Sequence, residues 1–395
     1  MISVTTISTD FLFTGEGKPL QDAFIRYDKQ GIIKDYGICK RKNDSIRHYP
    51  GAICPGFIDA HIHTELSHIG VLRETAAGMA GFIGGLARVR EKTTKEAREN
   101  SIISTINFLY NQGVSGAGDI CNEPVSFSLK HNNQIKWHHF IECFGTDTAS
   151  ADEIASKADQ LHISSEKMGF QSSITPHATY SLSNALIRTL NKKLINTNDL
   201  LSYHFMESRE EIELLTYRTG ALADLFKHWG ILPDFLTGGI KSPLDQLLVS
   251  LPKYNRLLLV HNTFIDNITV KIIMETFSDP WFCLCPVSNL TISGELPPVN
   301  LLRSNTDKIV IGTDSSASNE HLSMIEEIRT IQKAYPQIPI HELITWATSN
   351  GATFFGWDQL GTIASGKSPG LVWLNGFINP DEPLSQATKT TRIIQ

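Results

Sequence analysis

Two histidines stand one residue apart in Asp59-Ala60-His61-Ile62-His63, at the end of an apolar run that begins at Ile53. On an extended strand, residues two apart project to the same side. Both imidazoles can therefore face one ion. Further histidines and carboxylates end other apolar runs: Tyr203-His204-Phe205-Met206-Glu207, Val260-His261 and Gly312-Thr313-Asp314. Imidazoles with a carboxylate are good ligands for zinc or a similar divalent ion. An ion held in this way activates water for hydrolysis.

Each group also has a plainer explanation. A lone His-x-His is common. His204 or His261 alone could be a hydrogen-bonded core histidine. Asp314, followed by Ser315 and Ser316, could cap a helix. Coincidence argues for the metal site, because each group ends a different strand-like run. Several histidines and a carboxylate buried together are costly without an ion to bind.

The elements that would position these groups are legible. Strand-like runs cover Ile53 to His61, Val114 to Ile120, Lys136 to Phe144, Phe170 to Pro176, Leu200 to Met206, Arg256 to His261, Trp281 to Pro286 and Lys308 to Asp314. Helical stretches separate them. One spans Ala151 to Lys167, with Ile154, Ala158 and Leu161 on one face. Another starts at Ser208, with Glu211 three residues on as a capping box. It carries Ile212, Leu215, Leu222, Leu225, Phe226 and Trp229 at helical spacing. Eight strands alternating with helices predict an α/β fold, a (β/α)8 TIM barrel over 52–355, with function at the C-terminal strand ends. Short glycine-punctuated strands at both ends predict a small β-sandwich domain from 1–51 and 356–395.

Composition narrows the class. The 395-residue chain is 41% hydrophobic and 19% charged, enough to bury a large core. A formal net charge of -6 gives no reason to expect nucleic acid or an anionic membrane as partner. Six scattered cysteines without a Cys-x-x-Cys pair, no signal-like N-terminus and no membrane-length apolar run predict a cytoplasmic protein.

Several segments resemble the amidohydrolase superfamily, in its metal-dependent deaminase and chlorohydrolase branch. Pro55-Gly-Phe-Ile-Asp-Ala-His61-Ile-His63 looks like its first-strand motif. Thr175-Pro-His177-Ala-Thr-Tyr180 is similar to its Pro-His-Ala-x-Tyr segment, and His204-Phe-Met-Glu207 to its His-x-x-Glu. Cys285-Pro-Val-Ser288-Asn289-Leu290 and Gly312-Thr-Asp314-Ser-Ser-Ala-Ser-Asn319 resemble its seventh- and eighth-strand loops. Ala347-Thr-Ser-Asn-Gly-Ala352 and Gly361-Thr-Ile-Ala-Ser-Gly-Lys367 look like its closing segment.

The resemblance implies roles. His61, His63, His204 and Asp314 would hold one divalent metal, zinc or alternatively iron. Asp314 would accept the proton of the attacking water. Glu207 would protonate a ring nitrogen of the substrate and pass a proton to the leaving group. Glu207 also suits the first turn of a helix, where the macrodipole favours an acid. His261 would orient water or substrate, and His177 would hydrogen-bond the substrate. Ser288 and Asn289 are further expected substrate contacts. The fourth strand end, Ser172 to His177, lacks the lysine that binuclear members carboxylate, so one ion is expected. His63-Thr64-Glu65 matches half of the other zinc deaminase signature, but no Pro-Cys dipeptide follows.

Thr64-Glu65-Leu66-Ser67-His68 resembles a subgroup that includes aminodeoxyfutalosine deaminases, so Glu65 and His68 are expected at the substrate, with a salt bridge or cap as the rival reading. Arg88 and Arg90 could reach a substrate's tail, or be solvated helix residues. The expected activity is deamination of an aminated, purine- or nucleoside-like N-heterocycle, with water as co-substrate, by a homodimer. The alternatives are hydrolysis of a halide or alkylamine from an aromatic ring, and a barrel scaffold without catalysis.

Overall fold

The computed structural model describes residues 4–39, 46–72, 78–89, 92–131, 133–231 and 241–394. Strands from both ends of the chain build one sheet: β1 (Val4–Leu12), β2 (Leu20–Asp28), β3 (Ile33–Ile38), β4 (Arg47–Pro55), and β13 (Leu371–Asn375) and β14 (Lys389–Ile394). Their order is β14-β13-β4-β1-β2-β3, with β1 and β4 parallel and the other pairs antiparallel. Among the described residues, the expected sandwich is thus one continuously hydrogen-bonded six-stranded sheet.

The middle of the chain supplies eight parallel strands. These are β5 (Phe57–Ile62), β6 (Val114–Cys121), β7 (Lys136–Cys143), β8 (Gln171–Pro176), β9 (Leu201–Phe205), β10 (Arg256–His261), β11 (Asp279–Leu284) and β12 (Ile309–Ile311). β5, β6, β9 and β12 are buried along their whole length, as strands covered on both faces must be. They pair in two sheets, β5-β6-β7-β8 and β12-β11-β10-β9. The end strands meet at isolated bridges, Ile62 with Asp314 and Ala178 with His204. The chain is therefore α/β, with its parallel strands in two four-stranded arcs that touch at both seams.

Three expectations change in detail. The run from Ile53 to His61 is not one strand. It breaks at Gly56, whose missing side chain leaves room for Ser115 and Pro369, and the chain passes there from the terminal sheet into β5. The 52 boundary therefore falls inside β4. The helix begun at Ser208 is two, Arg209–Tyr217 and Ala221–His228, because Arg218 and Gly220 adopt left-handed backbone (φ 62° and 92°). The expected cap is present: Ser208 Oγ accepts from the Glu211 N–H at 3.1 Å. Helix Ala151–Lys167 lies as expected, with Ala155 and Ala158 buried and Ile154 and Leu161 packed on the core.

Candidate metal-dependent active site

The ends of five strands converge. The register of β5 on β6 shifts between Asp59 and Ile62, a bulge-like irregularity that re-aims the side chains there. His61 Nε2 and His63 Nε2 lie 3.1 Å apart. Asp314 Oδ1 lies 3.3 Å from His63 Nε2 and 3.8 Å from His61 Nε2. His204 joins them, its ring centroid 4.8 Å from that of His61. Donors on His61, His63 and His204 all fall within 4.8 Å of one another.

Four-coordinate zinc with bonds of about 2.0–2.2 Å sets neighbouring donors roughly 3.3–3.6 Å apart. The arrangement fits such an ion. His204 Nδ1 donates to the His177 carbonyl at 3.1 Å, which leaves Nε2 without a proton and able to bind an ion. Burial, then the neighbouring histidines, holds His61 well below the ordinary histidine value. Burial and His177 lower His204 to about 3. Neutral imidazoles are the form a metal binds.

Buried partners fix the carboxylates and their loops. Asp314 Oδ2 accepts from Ser288 Oγ at 2.5 Å and Ser318 Oγ at 2.9 Å, which leaves Oδ1 facing the histidines. Asp59 accepts from Thr313 N–H and Oγ1 at 3.0 and 2.6 Å, just before Asp314. Asp119 does the same for Thr64, just after His63, at 2.8 and 2.7 Å. Asp119 is in turn paired with the buried Lys130. Met206, His261 and Asp314 take left-handed backbone (φ 50°, 76° and 61°), strain of the kind that clusters at functional sites.

Glu207 is 5% exposed, and burial, then Asp314 and Glu211, raises its carboxyl well above the usual range. Glu207 Oε1 lies 3.4 Å from His261 Nε2. Burial and three other histidines hold His261 well below its ordinary value. Asn289 Nδ2 is 3.3 Å from His261 Nδ1 and 2.7 Å from Thr263 Oγ1. Asn289 donates, so His261 Nδ1 accepts and Nε2 carries the proton. Glu211 accepts hydrogen bonds from the Met206 and Glu207 N–H groups at 3.2 and 2.9 Å and from the Thr179 hydroxyl.

A cavity of about 370 Å³ opens onto these groups. His63, His177, His204, Glu207, His261 and Asp314 line it, with Asn122 and Glu142. Much of the remaining lining is apolar: Met79, Phe82, Ile83 and Leu86 from helix Gly78–Val89, with Phe226 and Trp229.

Some expected substrate contacts lie elsewhere. Glu65 Oε1 accepts the Asn122 and Glu123 N–H groups, both at 2.8 Å, so it shapes the loop after β6 and does not line the cavity. Burial raises Glu65 to about 8. Ser288 and Asn289 support Asp314 and His261 from behind and do not line the cavity either. His68 and Arg88 are also absent from the lining, and Arg90 lies outside the described residues. Glu142 and the apolar wall belong to none of the motifs.

The chain belongs to the amidohydrolase family, whose model matches residues 52–395. It is 24% identical over 365 residues to an adenosine deaminase of Helicobacter pylori, covering 89% of this chain and 87% of that one. Its fold is that of the H. pylori aminofutalosine deaminase crystallised with methylthio-coformycin (TM-score 0.76, 21% identity, 99% and 100% covered). The fold is shared with a zinc-bound adenosine deaminase from Xanthomonas campestris (TM-score 0.67, 21% identity, 97% and 87% covered).

Proposed function

We propose that this protein releases ammonia from an aminated N-heterocycle, purine- or nucleoside-like, by hydrolysis at a single divalent ion. The carrying observation is geometric: Glu207, a buried carboxyl held above its usual range by burial, lies beside a cluster of three histidines and an aspartate and lines the same cavity. Family membership and the deaminase relatives support the reading.

His61, His63, His204 and Asp314 would hold the ion, and zinc suits this donor set best. A bound ion there supplies Lewis acidity and makes water a nucleophile near neutral pH. The residues supply the rest. Asp314 Oδ1, its partner oxygen held by two hydroxyls, is oriented to take the proton of the attacking water. Glu207, whose carboxyl burial pushes towards the protonated form, donates to a ring nitrogen next to the carbon under attack. It can then relay a proton to the departing amine. His261, tautomer fixed by Asn289, presents Nε2–H towards the water and substrate. His177 lines the cavity and can hydrogen-bond the substrate.

The eight parallel strands read best as one (β/α)8 barrel closed at the two bridged seams, with the terminal sheet as a small separate domain. No described helix is long and apolar enough to cross a membrane. The free thiols of Cys54, Cys121, Cys143, Cys283 and Cys285 support a cytoplasmic location. The family resemblance supports a homodimer.

Assaying ammonia release by the zinc-loaded protein across aminopurines, their nucleosides and aminotriazines tests the reading. Turnover of at least one amino-heterocycle is expected. Turnover of a chloro-analogue alone would replace deamination with dehalogenation.

A further inference from the structure

Glu142 is the next-to-last residue of β7, and its side chain is 4% exposed although it lines the cavity. One carboxylate oxygen is in use: Oε2 accepts from Asn122 Nδ2 at 3.3 Å, while the same amide lies 3.2 Å from the Glu142 carbonyl. The other oxygen, Oε1, has no hydrogen-bond partner among the described residues. Two imidazole nitrogens come near it without bonding, His204 Nδ1 at 3.6 Å and His177 Nε2 at 4.0 Å. The first donates its hydrogen bond to the His177 carbonyl. A buried carboxylate oxygen without a donor is costly, and the cost is relieved when a ligand supplies the hydrogen bond.

We propose that Glu142 accepts a hydrogen bond from a hydroxyl of a pentose carried by the substrate, so that the site selects a nucleoside over the free base. The proposal rests on the deaminase reading above. Glu142 faces the Nδ1 side of His204, while the ligand atom of that ring is on its far side. The carboxylate is thus set off from the reacting centre by the width of an imidazole, where the part of the substrate beyond the heterocycle would lie. The apolar wall of Met79, Phe82, Ile83 and Leu86 argues for a neutral donor, because a charged amine would lose its hydration there.

The test compares wild type with Glu142→Met, and with Glu142→Gln as the milder second variant, all zinc-loaded. The readouts are metal content and kcat/KM for adenosine, 2′-deoxyadenosine, 3′-deoxyadenosine and adenine. Wild type should prefer adenosine to adenine and lose about tenfold or more when the contacted hydroxyl is removed, as for a hydrogen bond to a charged group. In Glu142→Met that hydroxyl discrimination should vanish, and the nucleoside-to-base ratio should fall by the same factor. Glu142→Gln should fall between the two, and metal content should stay at the wild-type value. Undiminished hydroxyl discrimination in Glu142→Met overturns the assignment, as does loss of metal from both variants. Absence of wild-type turnover on every amino-heterocycle would instead overturn the deaminase reading.

Discussion

The backbone N–H of Asp314 donates to the carbonyl of His61 at 2.9 Å, which joins the last parallel strand to the first at two of the proposed metal ligands themselves. The other seam is similar, with the His204 N–H on the His177 carbonyl at 2.9 Å. The site is therefore sensitive to anything that pries these seams open.

Gly312 packs tightly against His61 at the first seam. A Cβ there would lie 2.8 Å from both Cβ and O of His61. Gly312→Ala should cost about 1–3 kcal/mol through overpacking and lose most of the bound metal. Metal analysis with thermal melting checks this; wild-type values for both would mean the seam does not hold His61.

Ser288→Ala removes one of the two hydroxyls on Asp314 Oδ2. Metal affinity should fall about 10–100-fold, as is usual when a ligand's supporting hydrogen bond is lost. Competition with a chromophoric chelator measures it, and unchanged affinity would argue against Asp314 as an oriented ligand.

Glu207→Gln keeps the shape of the side chain and removes the transferable proton. Turnover should drop by about 10²–10⁴-fold, the usual share of general acid–base catalysis, while the metal stays bound. Loss of metal in this variant would move Glu207 into the coordination sphere.

Glu211 links stability to pH. Burial raises its carboxyl to about 7 from an ordinary 4.5, against the pull of its hydrogen bonds. The folded protein then binds more protons at this group than the unfolded chain. Its contribution to stability is fully present below about pH 4.5 and is lost as pH rises through about 7. Urea unfolding of wild type and Glu211→Gln between those pH values should show a flatter dependence in the variant. An identical slope would mean that Glu211 is ionised throughout.

Much of this was legible in the sequence because strand periodicity and site chemistry coincide. His61, His63, His204, His261 and Asp314 each end a buried run or follow it directly, and the structure brings them together. Glu142 ends a run too, but Lys136 to Cys143 contains two histidines and a glutamate without motif spacing, so nothing singled it out. Glu65, Ser288 and Asn289 sit in motifs next to the proposed ligands, which in sequence suggests substrate contact, with a cap or salt bridge as the rival role for Glu65. Adjacency in sequence does not say which side of the strand end a group occupies, and all three face backbone or side chains behind the site. The break at Gly56 depends on Ser115 and Pro369, which are distant in sequence and beyond any local pattern.

Ammonia release during zinc titration of the metal-free protein tests the single-ion deaminase most directly. With a substrate from the aminopurine panel, activity should be absent without metal, rise in proportion to added zinc and level off at about one ion per chain. A plateau at two ions, or ammonia release without metal, would contradict the account.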